Sequence, residues 1–195
     1  MKRFWIGWTV FCLAGFALGQ DEQLISDKIE SGGFGGPVWK ATGLNGETAF
    51  ISGGRGGWII NHTFVIGGGG YNTVTDVAAG ITHPTSGEKL YLRLEYSGLE
   101  LEYIHRSNKM VHWTVLALIG GGRLEIREHE PNRTFAKDNF FLTDAGVNAE
   151  INVLKWMRVN VGAGYRLALG VDAEGLGDGD IGGPEAQVTI KFGAF

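Results

Sequence analysis

The sequence predicts an all-β chain folded as an eight-stranded, antiparallel, up-and-down transmembrane β-barrel. Three observations predict it. Eight segments of alternating apolar and polar residues run from Gly33 to the terminal Phe195. These segments are about ten to seventeen residues long, whereas ordinary strands have five or six. Their connections form tight turns on one side and mostly long loops on the other, the pattern of an even-stranded membrane barrel.

The elements follow in order. Residues 1–19 read as a signal peptide, with Lys2 and Arg3 ahead of an apolar stretch and Ala17-Leu18-Gly19 as the cleavage site. Residues 20–31 are a short polar lead-in on the periplasmic side, and 32–195 form the barrel. The first strand is 33–42, and Asn45-Gly46 is a strong hairpin signal. The second strand, 47–60, turns at Asn61-His62 into the third, 63–74. Asp76 to Glu88, with Pro84 and Gly87, reads as a loop before the fourth strand, 89–104. A turn at 105–109 leads to the fifth strand, 110–127, and a loop with Pro131 covers 128–139. The sixth strand is 140–153, the turn is Leu154-Lys155-Trp156, and the seventh strand is 158–170. A Gly/Asp loop, 171–184, precedes the eighth strand, 185–195.

Alternation is clearest late in the chain. Val159, Val161, Ala163, Tyr165, Leu167 and Leu169 oppose Arg158, Asn160, Gly162, Gly164 and Arg166. In 89–104 the apolar parity switches at Ser97-Gly98, and in 110–127 it switches at Gly120-Gly121-Gly122. A one-residue bulge at each site would restore the register. At the C-terminus, Val188, Ile190, Phe192 and Ala194 share a face that excludes Phe195, which predicts either a bulge near Gly193 or a departure from the usual insertion signal.

An oily outside places the polar faces inside. Arg93, Glu95, Glu100, Glu102, Arg123, Glu125, Arg127, Asp144, Glu150, Arg158 and Arg166 are the expected lumen charge network. An eight-stranded lumen is narrow enough for side chains to fill, and desolvated charges there have to pair. Trp58, Trp113 and Trp156, near tight turns, are expected at the periplasmic interface, with Tyr71, Tyr91 and Phe141 in the outer girdle.

Composition narrows the function classes. The formal charge of −4 becomes −6 when Lys2 and Arg3 leave with the signal, which argues against nucleic acid as a partner. The single cysteine, Cys12, lies in the signal, so the mature chain has no thiol chemistry. Glycine is unusually frequent, at 33 residues. Its runs lack the strand–GxGxxG–helix or P-loop context of a phosphate site. Inside strands they leave room for bends and for large side chains on neighbouring strands. His62, His83, His105, His112 and His129 lack metal-ligand spacing, and the acidic 171–184 loop lacks the order of a calcium loop. No cofactor, metal or catalytic motif emerges.

In strand count, loop asymmetry and terminal Phe195, the chain resembles the small outer-membrane barrels of the OmpA-transmembrane, OmpX and opacity type. The blocks Ser31 to Pro37, Gly53 to Trp58 and Gly67 to Tyr71 resemble those of an uncharacterised Gly-rich group of bacterial outer-membrane proteins. The resemblance implies a monomer in contact with outer-membrane lipid and lipopolysaccharide, inserted by the barrel assembly machinery. It also implies a structural or surface-interaction role. A lipid-modifying enzyme, a narrow pore and a soluble periplasmic barrel holding an apolar ligand are the alternatives.

Overall fold

The computed structural model describes residues 30–128 and 133–195. The expected signal peptide, most of the lead-in and His129 lie outside the described residues. The elements are β1 (Ser31–Leu44), β2 (Glu47–Ile60), β3 (Phe64–Thr73), β4 (Val77–Thr82), β5 (Lys89–His105), β6 (Val111–Glu128), β7 (Thr134–Leu154) and β8 (Met157–Leu169). One helical turn, α1 (Asp178–Ile181), precedes β9 (Gly183–Ala194).

Every strand pairing is antiparallel. The order β3-β2-β1-β9-β8-β7-β6-β5 closes on itself through β3–β5, where Phe64 faces Tyr103 and Asn72 faces Glu95. Eight strands therefore form the ring. β4 continues the path of β3 and pairs with the start of β5, Val77 opposite Leu92. Residues 77–82 fall in an expected loop; they form a strand because Val77 and Ala79 are buried in the core. β7 likewise begins six residues before the expected 140. Its first residues, among them Lys137, Asp138 and Asn139, look loop-like in sequence because they are paired strand outside the apolar belt.

The Asn45-Gly46 turn has positive φ at both residues, 49° and 76°. Asn and Gly tolerate that region, and it matches the right-handed twist of the flanking strands. The turn also anchors the last loop, since the Asn45 amide donates to the Asp180 carbonyl at 2.7 Å.

The two expected parity bulges are absent. The β5–β6 register runs unbroken from Leu90 opposite Glu128 to His105 opposite Trp113. Leu90, Leu92, Leu94, Tyr96, Glu100, Glu102 and Ile104 are all buried on one face. The chemistry of that face changes at Gly98 while the backbone keeps its register. The C-terminus shows no bulge either: β8–β9 pairing is continuous from Met157–Phe192 to Arg166–Gly183. Phe195 stacks on buried Phe34, 6.4 Å between centroids, while Phe192 stacks outside on Trp156 at 6.1 Å.

The interior has three layers. At the loop end is an apolar core that includes Val38, Leu44, Ile51, Leu92, Leu124 and Leu142, roofed by Val171, Leu176 and Ile181 of the last loop. Charged side chains fill the middle. At the tight-turn end Phe34, Ile59, Val65 and Ile104, with Phe195, form a smaller apolar cluster.

The outer surface has an apolar belt. On β6 it runs from Val111 to Ile119 and on β8 from Val159 to Leu169. At about 3.4 Å per residue and a tilt of about 40°, these stretches span about 21 to 26 Å. That matches the apolar band of a membrane barrel.

Candidate functional site

The lumen is the densest concentration of chemistry in the molecule. In the tight-turn half its walls are lined by the inward positions of β2, β5, β6, β7, β8 and β9. Arg55 Nε lies 2.6 Å from Glu100 Oε2, and its Nη2 lies 2.9 Å from Glu102 Oε2. Lys191 Nζ bridges Glu102 Oε1 at 2.7 Å and Glu150 Oε2 at 2.6 Å. Glu150 Oε1 also takes Arg158 Nη1 at 2.9 Å and faces His112 Nε2 at 3.0 Å. The other ring nitrogen of His112 lies 3.0 Å from the Lys109 carbonyl. Tyr71 donates its hydroxyl to Glu100.

A second cluster sits nearer the loop end. Lys40 Nζ lies 2.5 Å from Asp144 Oδ2 and 2.7 Å from Glu185 Oε1. Arg166 donates from Nε to the Ile181 carbonyl at 2.9 Å and from Nη2 to Thr42 Oγ1 and the Gly43 carbonyl, both at 3.3 Å. Its Nη1 is 3.8 Å from Glu185 Oε2. Among the described residues, five buried cations thus meet five buried carboxylates. Aromatic rings complete the packing: Lys40 Nζ lies 4.5 Å from the Tyr71 ring centre and Arg158 lies 4.2 Å from that of Phe195.

Glycines make room for these groups. A Cβ on Gly53 would lie 2.6 Å from Tyr71 Cδ1, and one on Gly69 would strike Glu100 Oε1. The inward glycines of β2 and β3 are therefore the space that Tyr71 and Glu100 occupy.

Of the residues expected in the lumen, Glu100, Glu102, Asp144, Glu150, Arg158 and Arg166 are buried there. Arg93, Glu95, Arg123, Glu125 and Arg127 are not; they occupy the outward positions of β5 and β6, alternating with buried Leu92, Leu94, Leu124 and Ile126. The assumption behind placing them inside was an apolar exterior along the whole strand. At the loop end the exterior is charged and the interior is oily. Trp58, Trp113, Trp156 and Phe141 face outward and are about half exposed. Tyr71 faces inward and is buried, contrary to its expected girdle position. Tyr91 is on the outer face opposite Arg127, above the belt instead of on its edge.

Sequence reasoning missed Lys40, Arg55, Glu185 and Lys191. Lys40 and Arg55 lie in Gly-rich strands where alternation is faint. Lys191 and Glu185 share a face with Thr189 and oppose Val188 and Ile190, a signal visible in the sequence but not carried through to a lumen assignment.

No known protein family matches the sequence, and neither does any curated protein. Solved structures do match in fold. Neisserial surface protein A (NspA) is similar over 86% of this chain and 99% of its own, with a TM-score of 0.55 at 9% identity. Ail, the attachment invasion locus protein of Yersinia pestis, solved in complex with the heparin analogue sucrose octasulfate, aligns over 85% of this chain and 99% of its own, with a TM-score of 0.48 at 13% identity. A ring of eight antiparallel strands, an outward apolar belt and ion pairs buried inside the ring make this chain, in architecture, a small eight-stranded β-barrel of the outer-membrane type.

Proposed function

We infer that the protein is an integral outer-membrane barrel that acts through its outer surface and loops, with a lumen that neither conducts nor catalyses. The ionic lumen sealed at both ends by apolar layers carries this reading. Charges buried to this degree are tolerated when each is paired, and they hold the wall strands in one arrangement. The apolar core at the loop end and the Phe34–Phe195 plug at the other keep water from the charges. A pore would need a continuous wet path, which this layering opposes. A soluble barrel with an apolar ligand would need an open oily interior, whereas the oily half here is packed with its own side chains.

Two measurements on the membrane-extracted protein test the reading. Unheated protein should run differently from boiled protein on an SDS gel, because a closed barrel resists the detergent when cold. In planar bilayers it should show no steady single-channel conductance. Recovery in the soluble periplasmic fraction without a gel shift, or reproducible open channels, would overturn it.

A further inference from the structure

The outer surface changes character along one line. A row of direct cross-strand neighbours, Asn72, Glu95, Arg123 and Asn139, crosses β3, β5, β6 and β7. The row beneath it is Gly70, Ser97, Gly121 and Phe141. The next is Gly68, Leu99 and Ile119, the top of the apolar belt. The middle row has almost no side chains on three adjacent strands. It is therefore a hollow, and the structure contains a concavity of about 580 Å³ there. Asn72, Arg93, Ser97, Gly121, Arg123 and Asn139 line it, with the Tyr71, Tyr96 and Phe140 rings behind.

We propose that this hollow is a binding site for the phosphorylated headgroup of an outer-leaflet glycolipid, gripped by Arg93 and Arg123, with the acyl chains on the belt at Leu99, Ile119 and Phe141. The proposal rests on the membrane reading above. Four observations support it. The hollow sits at the seam where apolar surface gives way to charged surface, the depth at which a lipid changes from tail to headgroup. Its donors suit phosphate oxygens: two guanidiniums, which bind phosphate in a planar fork, and the Asn72 and Asn139 amides. Arg93 Nε lies 2.9 Å from Glu95 Oε1, and Arg123 Nε donates to Asn139 Oδ1 at 3.3 Å. Arg123 is held through its Nε, Arg93 rests against Glu95 as an ion pair without a hydrogen bond, and the terminal nitrogens of both face the hollow for a ligand. Among the described residues Glu95 is the one carboxylate lining the hollow, so two cations exceed one anion there.

The test uses detergent-purified full-length protein and bis-phosphorylated lipid A as probe, with binding followed by native mass spectrometry. Wild type should bind this lipid at least tenfold more tightly than the same lipid stripped of its phosphates. The double variant Arg93→Ala/Arg123→Ala should lose that preference, while Arg93→Lys/Arg123→Lys retains part of it. Millimolar inorganic phosphate should not displace the lipid. Equal binding by wild type and the double alanine variant, equal binding of both lipids, or displacement by free phosphate would each overturn the site. The cold-versus-boiled gel shift of each variant separates the cases: if wild type itself shows no shift, the membrane reading fails and the site with it. A variant that shifts normally yet binds as wild type overturns the site alone.

Discussion

The two halves of this barrel share strands, register and alternation, yet they are built inside out relative to each other. In the tight-turn half of β5 and β6, Leu99, Leu101, Val115 and Ile119 face outward and Glu100 and Glu102 face in. In the loop half, Arg93, Glu95, Arg123 and Glu125 face outward and Leu92, Leu94, Leu124 and Ile126 face in. The boundary needs no bulge, because the pleat fixes only which residues share a face. The medium outside fixes which chemistry that face carries. A lipid exterior leaves the inside to paired charges; a water exterior leaves it to an ordinary hydrophobic core. One strand can thus run through a membrane-type barrel and a soluble-type barrel without a break.

The largest effect should come from unbalancing the ionic half. Lys191 is bonded to both Glu102 and Glu150. Lys191→Met removes one charge and leaves two buried carboxylates short of a partner. The expected loss is about 3 to 5 kcal/mol, read as a lower urea midpoint for unfolding from lipid vesicles. An unchanged midpoint would mean that the lumen is wet enough to solvate Glu102 and Glu150, and the sealed-lumen reading would fall.

This contrast also explains what the sequence could and could not reveal. Strand number, antiparallel order and the Asn45-Gly46 turn are legible because they depend on local residue types and on period-two alternation. The lumen charges of β7 and β8 are legible because those strands keep one polarity over most of their length: Asp144, Glu150, Arg158 and Arg166 all alternate with outward apolar residues. Arg93, Glu95, Arg123, Glu125 and Arg127 were misplaced because a change of exterior medium and a β-bulge leave the same mark in a hydropathy pattern. Flanking glycines, which bulges favour, do not distinguish them. Here Gly98 and Gly120 are small for another reason: a Cβ on either would collide with the backbone of the other strand. Strands β1 to β3 were the least legible, since glycine takes about a third of their inward positions and leaves no side chain there to alternate.

A second prediction places one substitution on each side of the boundary, on the same outer face of β6. Val115 is in the middle of the belt and Glu125 is above it. Val115→Arg should cost about 2 to 4 kcal/mol, as a cation does at the lipid-facing midplane of a membrane barrel. Glu125→Gln, which brings no cation up against Arg93 and Lys137 on the neighbouring strands, should change stability by no more than about 0.5 kcal/mol. Equal and small effects at both sites would show that water surrounds the whole barrel, and would abolish the contrast between the halves.

The smallest predicted effect compares neighbouring glycines of β2 that face opposite ways. Gly53 faces the lumen, where an added methyl would meet the Gly70 carbonyl and lie 2.6 Å from Tyr71 Cδ1. The Tyr71 ring has little freedom to move aside. It donates to Glu100, stacks on Tyr96 at 4.9 Å and lies beneath Lys40. Overpacking of this kind costs about 1 to 3 kcal/mol, so Gly53→Ala should lower the urea midpoint. Gly54 faces outward, and a methyl there would come no closer than 3.7 Å to a neighbour, the Gly36 carbonyl oxygen. Its φ is not in the left-handed region, so Gly54→Ala should be neutral or stabilise by up to about 1 kcal/mol, chiefly by restricting the unfolded chain. If both variants behave alike, the glycines of β2 serve the bend of the backbone and not the space that Tyr71 fills, and the link from glycine placement to lumen packing is broken.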